Sequence, residues 1–257
     1  MNQRELPPVG LGTMGIDDPA VIETALELGY RHLDTAQIYG TETVVGEGLA
    51  RSAVPREDVT IATKVWADSL APDDVRRTTA ESLDRLGLES VDLLYVHRPV
   101  ETYDPERTLP AFEELRDAGT AGGIGLSNFS VAELETARAV LDAPIAAHQV
   151  EFHPLFQPED LLVHAREHGY PLVAYSPLAN GRAGEIDEVA AIAAAHDATP
   201  EAVCLAWLAA KESVVTIPKA SSAAHLRANL DARDLELDPA ERERIDAIER
   251  TDELFPE

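Results

Sequence analysis

One pattern limits this chain more than any other: a short apolar, β-rich run followed by an amphipathic helical stretch, eight times over. The runs lie at 7–12, 31–34, 59–64, 91–97, 122–126, 145–150, 171–175 and 214–217. The helical stretches cover 19–29, 42–52, 73–86, 107–118, 131–141, 158–168, 185–196 with 200–210, and 222–229, and a further helix at 239–250 closes the chain. Local chemistry agrees. "PDDVRRTTAESLDRLG" opens with Pro72 and two aspartates and stops at Gly87. Acidic residues suit the positive end of a helix, and glycine suits its stop. "DLLYVH" is almost all apolar, as a strand covered on both faces must be.

Eight βα units in 257 residues predict a (β/α)8 barrel, an α/β fold of ordinary size for that architecture. An apolar content of 45% supplies its core without disulfides. No sequence repeat or low-complexity linker divides the chain, so the expectation is one domain over residues 1–257. The competitor is an open doubly wound sheet, because Gly10, Gly12 and Gly15 satisfy the bare GxGxxG pattern and Asp34 follows at about the right distance. Against it, "DDPA" separates Gly15 from the next helix, where the dinucleotide fingerprint needs the helix to begin at once.

The charge excludes several functions. Against 47 acidic residues stand 21 basic ones, a net −26 with a pI near 4.5. Nucleic-acid binding, which relies on Lys and Arg at phosphates, is disfavoured. There are three lysines, Lys64, Lys211 and Lys219, against eighteen arginines. Acid-rich and lysine-poor composition is similar to that of proteins from salt-accumulating halophiles, where a short Debye length cancels self-repulsion; the alternative is an ordinary acidic protein from a GC-rich genome, which also favours Ala and Arg over Lys. With no long apolar run and no signal-peptide pattern, a soluble, cytoplasmic protein is expected. The lone Cys204 permits no internal disulfide and reads as a buried small hydrophobe.

In a (β/α)8 barrel the chemistry sits at the C-terminal ends of the strands. Asp34 and then Tyr39 follow strand 2; Lys64 ends strand 3; His97 ends strand 4; Ser127 and Asn128 end strand 5. Gln149 lies on strand 6, Tyr175 and Ser176 end strand 7, and Lys219 ends strand 8. Singly, each has a plainer reading as a cap, a turn or packing. Together they ring one mouth. A tyrosine beside a lysine, a carboxylate and an imidazole can give a proton to a carbonyl oxygen, the acid half of a carbonyl reduction. An ammonium about 4 Å from a phenol favours phenolate by about 4 kcal/mol at an effective dielectric of about 20. That is about three pKa units, so Tyr39 is expected to be a strengthened acid.

The segments "GYRHLDTAQIYG", "ATKVW", "LLYVHRP", "GIGLSNFS", "HQVEFHP", "AYSPL" and "IPK", in this order, resemble the aldo-keto reductases over nearly the whole chain. The resemblance implies a TIM-type barrel, NAD(P)H-dependent reduction of aldehydes and ketones, and a catalytic tetrad of Asp34, Tyr39, Lys64 and His97. It further implies that Ser127, Asn128 and Gln149 hold the nicotinamide carboxamide and that Tyr175 stacks on its ring. Thr13 and Asp34 would lie near the ribose, Ser176 and Leu178 of "AYSPL" would complete the cofactor set, and Lys219 would pair with the 2′-phosphate of NADP. A monomer is the family-level expectation.

The chain departs from that pattern after strand 8. Family members often read Lys-Ser, then Arg, then Glu-Asn; here stand Lys219-Ala220, then His225, then Ala228-Asn229. The phosphate-clamping arginine is missing, and His225 is only partly charged at neutral pH. Arg227 lies about 200° further round a helix and cannot replace it. NADP is therefore expected with NAD also possible, and Asn229 remains for the adenine edge. For the substrate side, Met14 and Arg98 replace residues that are often Trp in relatives, and Trp66 lines the mouth. Arg98 either favours anionic or polyhydroxylated carbonyls or forms a rim salt bridge.

No metal site is expected: His164 and His168 are spaced i, i+4 on a helix but have no evident third ligand, and read as solvated face. His148 and His153 beside strand 6 read as core residues. Two other functions stay open. A barrel lysine can form Schiff bases, as in aldolases, and a barrel of this kind can bind NADP as a non-enzymatic sensor.

Overall fold

The computed structural model describes residues 6–255; residues 1–5 and 256–257 of the expected domain lie outside the described residues. Eight strands form one sheet in sequence order: β1 (Leu11–Gly12), β2 (His32–Asp34), β3 (Thr60–Val65), β4 (Val91–Val96), β5 (Ala121–Ser127), β6 (Ile145–Glu151), β7 (Leu172–Tyr175) and β8 (Val214–Thr216). Every neighbouring pair is parallel. The sheet then closes on itself. Val9 bridges Thr216, Gly10 N donates to Thr216 O at 2.8 Å, and Thr216 N donates to Pro8 O at 2.9 Å. This is the (β/α)8 barrel.

Ten α-helices surround it among the described residues: α1 (Pro19–Leu28), α2 (Glu42–Arg51), α3 (Pro72–Leu86), α4 (Pro105–Asp117), α5 (Val131–Val140), α6 (Glu159–His168), α7 (Asp187–Ala195), α8 (Pro200–Ala209), α9 (Ala223–Asp231) and α10 (Pro239–Asp246). Their ends follow local chemistry. Asp18 and Asp104 cap α1 and α4, and Ser130 with Glu133 makes a capping box on α5. Gly87 ends α3 with a φ of 66°, a left-handed turn that favours glycine.

Most boundaries shift from the sequence reading by one or two residues, and three shifts have a physical reason. β1 is shorter than 7–12, because Pro7 and Pro8 have no N–H to give a ladder. α7 starts after a 3-10 turn at Ala183–Glu185. α10 stops at Asp246 rather than 250, and the chain beyond it turns inward, where Asp252 N donates to Leu155 O at 2.8 Å.

The glycines of "GLGTMG" serve barrel closure and not a phosphate loop. A Cβ on Gly12 would lie 2.7 Å from Ile217 O, and one on Gly10 would lie 2.5 Å from the His32 ring. The two-residue period of the strands separates two cores. Ala62, Leu93, Tyr95, Val173 and Val215 fill the barrel interior. The larger core, with Leu33, Ile61, Leu94 and Ile124 from the strands, lies between sheet and helices. Lys64 is two residues beyond Ala62, so it points into the barrel with it.

Candidate active site

At the C-terminal end of the barrel, β2 delivers Asp34 and β3 delivers Lys64. Lys64 is fully buried. Its ammonium donates to Asp34 Oδ1 and, at 2.9 Å, to the Thr35 carbonyl. Gln149, from β6 across the barrel, donates to the other Asp34 oxygen at 2.8 Å. Thr13 is buried and gives its hydroxyl to the Asp34 carbonyl at 2.9 Å. The carboxylate is thus clamped from β3 and β6, and the backbone of Asp34 is held by Thr13.

Tyr39 sits in a 3-10 turn, Gln37–Tyr39, directly after β2. Lys64 Nζ is 5.0 Å from its ring centroid. His97 follows β4 and meets two rings edge-on, Tyr39 at 5.6 Å and Trp66 at 4.9 Å between centroids. The four residues that the sequence spread over three strands form one contact group.

The charges follow from burial and partners. Burial pushes Lys64 down, but Asp34 and Tyr39 outweigh it and hold the pKa above the ordinary lysine value. The amine stays protonated. Burial lowers His97 to about 2, with Lys64 and Arg98 adding to the effect, so the imidazole is neutral. The Tyr39 phenol is raised: burial outweighs Lys64 and Arg98, which pull it down. This corrects the sequence expectation of a strengthened acid. Coulomb attraction to Lys64 was counted there, while desolvation of a phenolate in the same enclosed corner was not.

The other half of the mouth is built from β5 and β7. Ser127 ends β5, and Asn128 donates to Ser127 Oγ at 3.1 Å and to the His97 carbonyl at 3.0 Å. The Tyr175 hydroxyl donates to Asn128 Oδ1 at 2.9 Å. Asn128 and Ser176 have φ values of 60° and 50°, left-handed conformations that cost energy in non-glycine residues and gather at working sites. Leu178 packs against the core in the same loop. Met14 is exposed at the end of β1.

Beyond β8, Lys219 and His225 are exposed, and Ser222 caps α9 by accepting from His225 N at 3.2 Å. Neither side chain has a charged partner among the described residues. Asn229 differs: it is buried, one turn beyond Leu226, whose carbonyl accepts from the Tyr30 hydroxyl at 3.1 Å, which the position at an open adenine edge did not anticipate. Gln149 also differs, because its amide nitrogen is committed to Asp34. Arg98 forms no salt bridge among the described residues; its guanidinium donates to Phe255 O at 3.3 Å. The rim salt bridge is therefore not found. Glu151 at the end of β6 was missed by the sequence reading. Its buried carboxylate accepts from Leu254 N at 2.7 Å and Phe255 N at 3.1 Å and pins the C-terminal tail beside Tyr175.

Residues 8–250 match the Aldo/keto reductase family. The chain belongs to that family. Among curated aldo/keto reductase relatives, methylglyoxal reductase DkgB of Escherichia coli O157:H7 is 39% identical, over 97% of this chain and 95% of that protein. An aldo/keto reductase of Synechocystis is 36% identical, over 97% of this chain and 87% of that protein. Among solved structures, an aldo-keto reductase from a Medee basin deep-sea metagenome library superposes with a TM-score of 0.94. It is 33% identical and the match covers 100% of this chain and 96% of that one. A putative 2,5-diketo-D-gluconic acid reductase B gives 0.89 at 36% identity, over 93% and 86% of the two chains. Membership of this family makes the chain an oxidoreductase.

Proposed function

We propose that this chain reduces aldehydes and ketones to alcohols at the mouth of its barrel, with NADPH as the preferred reductant and NADH as a second. The observation that carries the reading is the buried Asp34–Lys64 pair set against the Tyr39 ring, with a neutral His97 on its other side. When bound, the dinucleotide supplies the hydride.

The mouth fits such a group. Lys219 is a surface cation with no carboxylate partner among the described residues, beside the capped N-terminus of α9, a place that suits a phosphate. Ser127, Asn128, Tyr175, Ser176 and Leu178 would hold the nicotinamide end, with Gln149 and Thr13 fixing Asp34 beside it. Asn229 would lie toward the adenine end, and His225 would stand where many relatives have arginine.

Tyr39 is the proton donor. Its raised pKa keeps the phenol protonated across neutral pH, and Lys64 stabilises the phenolate left behind. Asp34 keeps Lys64 charged and in place. His97 is uncharged, so it offers a hydrogen bond to the carbonyl oxygen without competing as an acid. Trp66, Met14 and Arg98 border the substrate space, and Arg98 favours anionic or polar carbonyls. The named activities of the relatives, on methylglyoxal and a diketo acid, suit this polar opening. A protonated Lys64 with its donors engaged is not a Schiff-base nucleophile, and all four catalytic positions are filled, unlike what a sensor needs. The protein would work as a monomer, its single barrel spanning the chain.

The test is consumption of NADPH and, in parallel, NADH in molar KCl with a panel of small aldehydes, ketones and keto acids. Turnover with NADPH exceeding that with NADH is expected. Cofactor binding with no turnover on any carbonyl would overturn the proposal in favour of a sensor.

A further inference from the structure

The outer ring of helices holds a second cluster of ionisable groups, away from the barrel mouth. His164 and His168 lie one turn apart on α6, and Glu135 comes from α5 beside it. The sequence reading found no third ligand and a solvated face. The structure places a carboxylate beside the pair and buries His164, while His168 keeps the exposed face. His164 is only 6% exposed, and Glu135 Oε1 lies 2.7 Å from His164 Nε2 and 3.4 Å from His168 Nε2. All three ligand atoms fall within 4.8 Å of one another. A tetrahedral zinc-type ion with bonds of about 2.0–2.2 Å sets its ligand atoms about 3.3–3.6 Å apart. The His164–Glu135 separation has to open by about 0.6–0.9 Å.

Two further contacts point the same way. The Tyr170 hydroxyl meets His164 Nδ1 at 2.6 Å and fixes the ring with Nε2 toward Glu135, as hydrogen-bonded partners of metal-binding histidines do. Arg138 NH1 lies 3.1 Å from His168 Nε2 and 2.7 Å from Glu135 Oε1. A guanidinium can only donate, so this His168 nitrogen presents its lone pair. Arg138 is then a stand-in cation, and its side chain is 37% exposed, free to swing into solvent.

We propose that Glu135, His164 and His168 bind one divalent transition-metal ion, zinc or cobalt, which displaces Arg138 and ties α5 to α6. Imidazole and carboxylate donors together suit these ions better than magnesium or calcium.

Titration of the full-length protein with Co2+ in molar KCl tests this, the salt screening the acidic surface. One equivalent should bind with the visible absorption of tetrahedral cobalt, be displaced by Zn2+ and be unaffected by Mg2+. Glu135→Gln and His168→Ala should each weaken binding by about tenfold or more, and Arg138→Ala should tighten it. His168 is partly exposed, so metal-free His168→Ala should melt like the parent, which separates ligand loss from misfolding. No stoichiometric binding by the parent, or equal affinity in Glu135→Gln and His168→Ala, would overturn the proposal.

Discussion

Tyr39 is subject to two opposing effects, and burial wins over its neighbour Lys64. That Asp34, Tyr39, Lys64 and His97 meet in one corner was legible in the sequence, because each stands at or just past a strand end, where a barrel gathers its polar residues. Their strengths were not. Gln149 and Asp34 are 115 positions apart, and nothing in the chain announces that one clamps the other. Burial of the phenol is likewise a property of the folded corner. Arg98 reaches that corner through its charge alone. It borders the mouth without a carboxylate partner among the described residues, so Arg98→Ala should cut kcat/KM for a keto acid about tenfold or more, the worth of one charge-assisted hydrogen bond. A neutral aldehyde should change by less than about twofold. Steady-state kinetics on the two substrates decides, and an equal loss on both defeats the anion preference.

At the scale of elements, the helices were readable from an apolar period of 3.6 and the strands from short continuous apolar runs, both written locally. What the periods cannot carry is closure. The pairing of residues 8–12 with 216–218 joins the two ends of the chain, and the close approach of Gly12 to Ile217 explains its glycine better than any phosphate does. β5 gives a sharper case. A Cβ on Gly125 would sit 2.3 Å from the ring carbons of Tyr95, which is itself fully buried on β4. Gly125→Ala should overpack the barrel interior and cost about 1–3 kcal/mol. Urea unfolding should show an earlier midpoint with the same slope. An unchanged midpoint would mean that the interior has more room than this packing shows.

For the whole molecule, the net charge of −26 and a set of buried neutral histidines act in different pH and salt ranges. We propose that the chain is built for concentrated salt, since self-repulsion of this size is screened at molar ionic strength. Burial lowers the pKa of His32, of His97 to about 2 and of His148 to about 3. The unfolded chain takes up protons near the ordinary value of 6.5 while the folded one does not. Stability from these groups is therefore complete above about pH 6.5 and is lost as pH falls below it, by at most about 1.4 kcal/mol per pH unit for each. In dilute buffer, acidification also relieves repulsion and masks this loss. Thermal melts over pH 5–8 should thus show two results. At pH 7.5 the Tm should rise from low salt to 2 M KCl. In 2 M KCl it should fall below pH 6.5, less steeply in His148→Gln, whose amide oxygen can replace Nε2 as acceptor for Phe129 N–H. A Tm indifferent to KCl would contradict the salt proposal, and equal slopes for parent and variant would contradict the histidine account.

The central claim is that Tyr39 gives the proton in a carbonyl reduction powered by a bound nicotinamide cofactor. Tyr39→Phe keeps the ring against His97 and removes only the hydroxyl. NADPH affinity, read by fluorescence titration, should stay within about twofold, while kcat for aldehyde reduction should fall by about 10²–10⁴. A variant that binds NADPH normally and keeps the parent kcat would show that the proton comes from elsewhere and that the site has been misread.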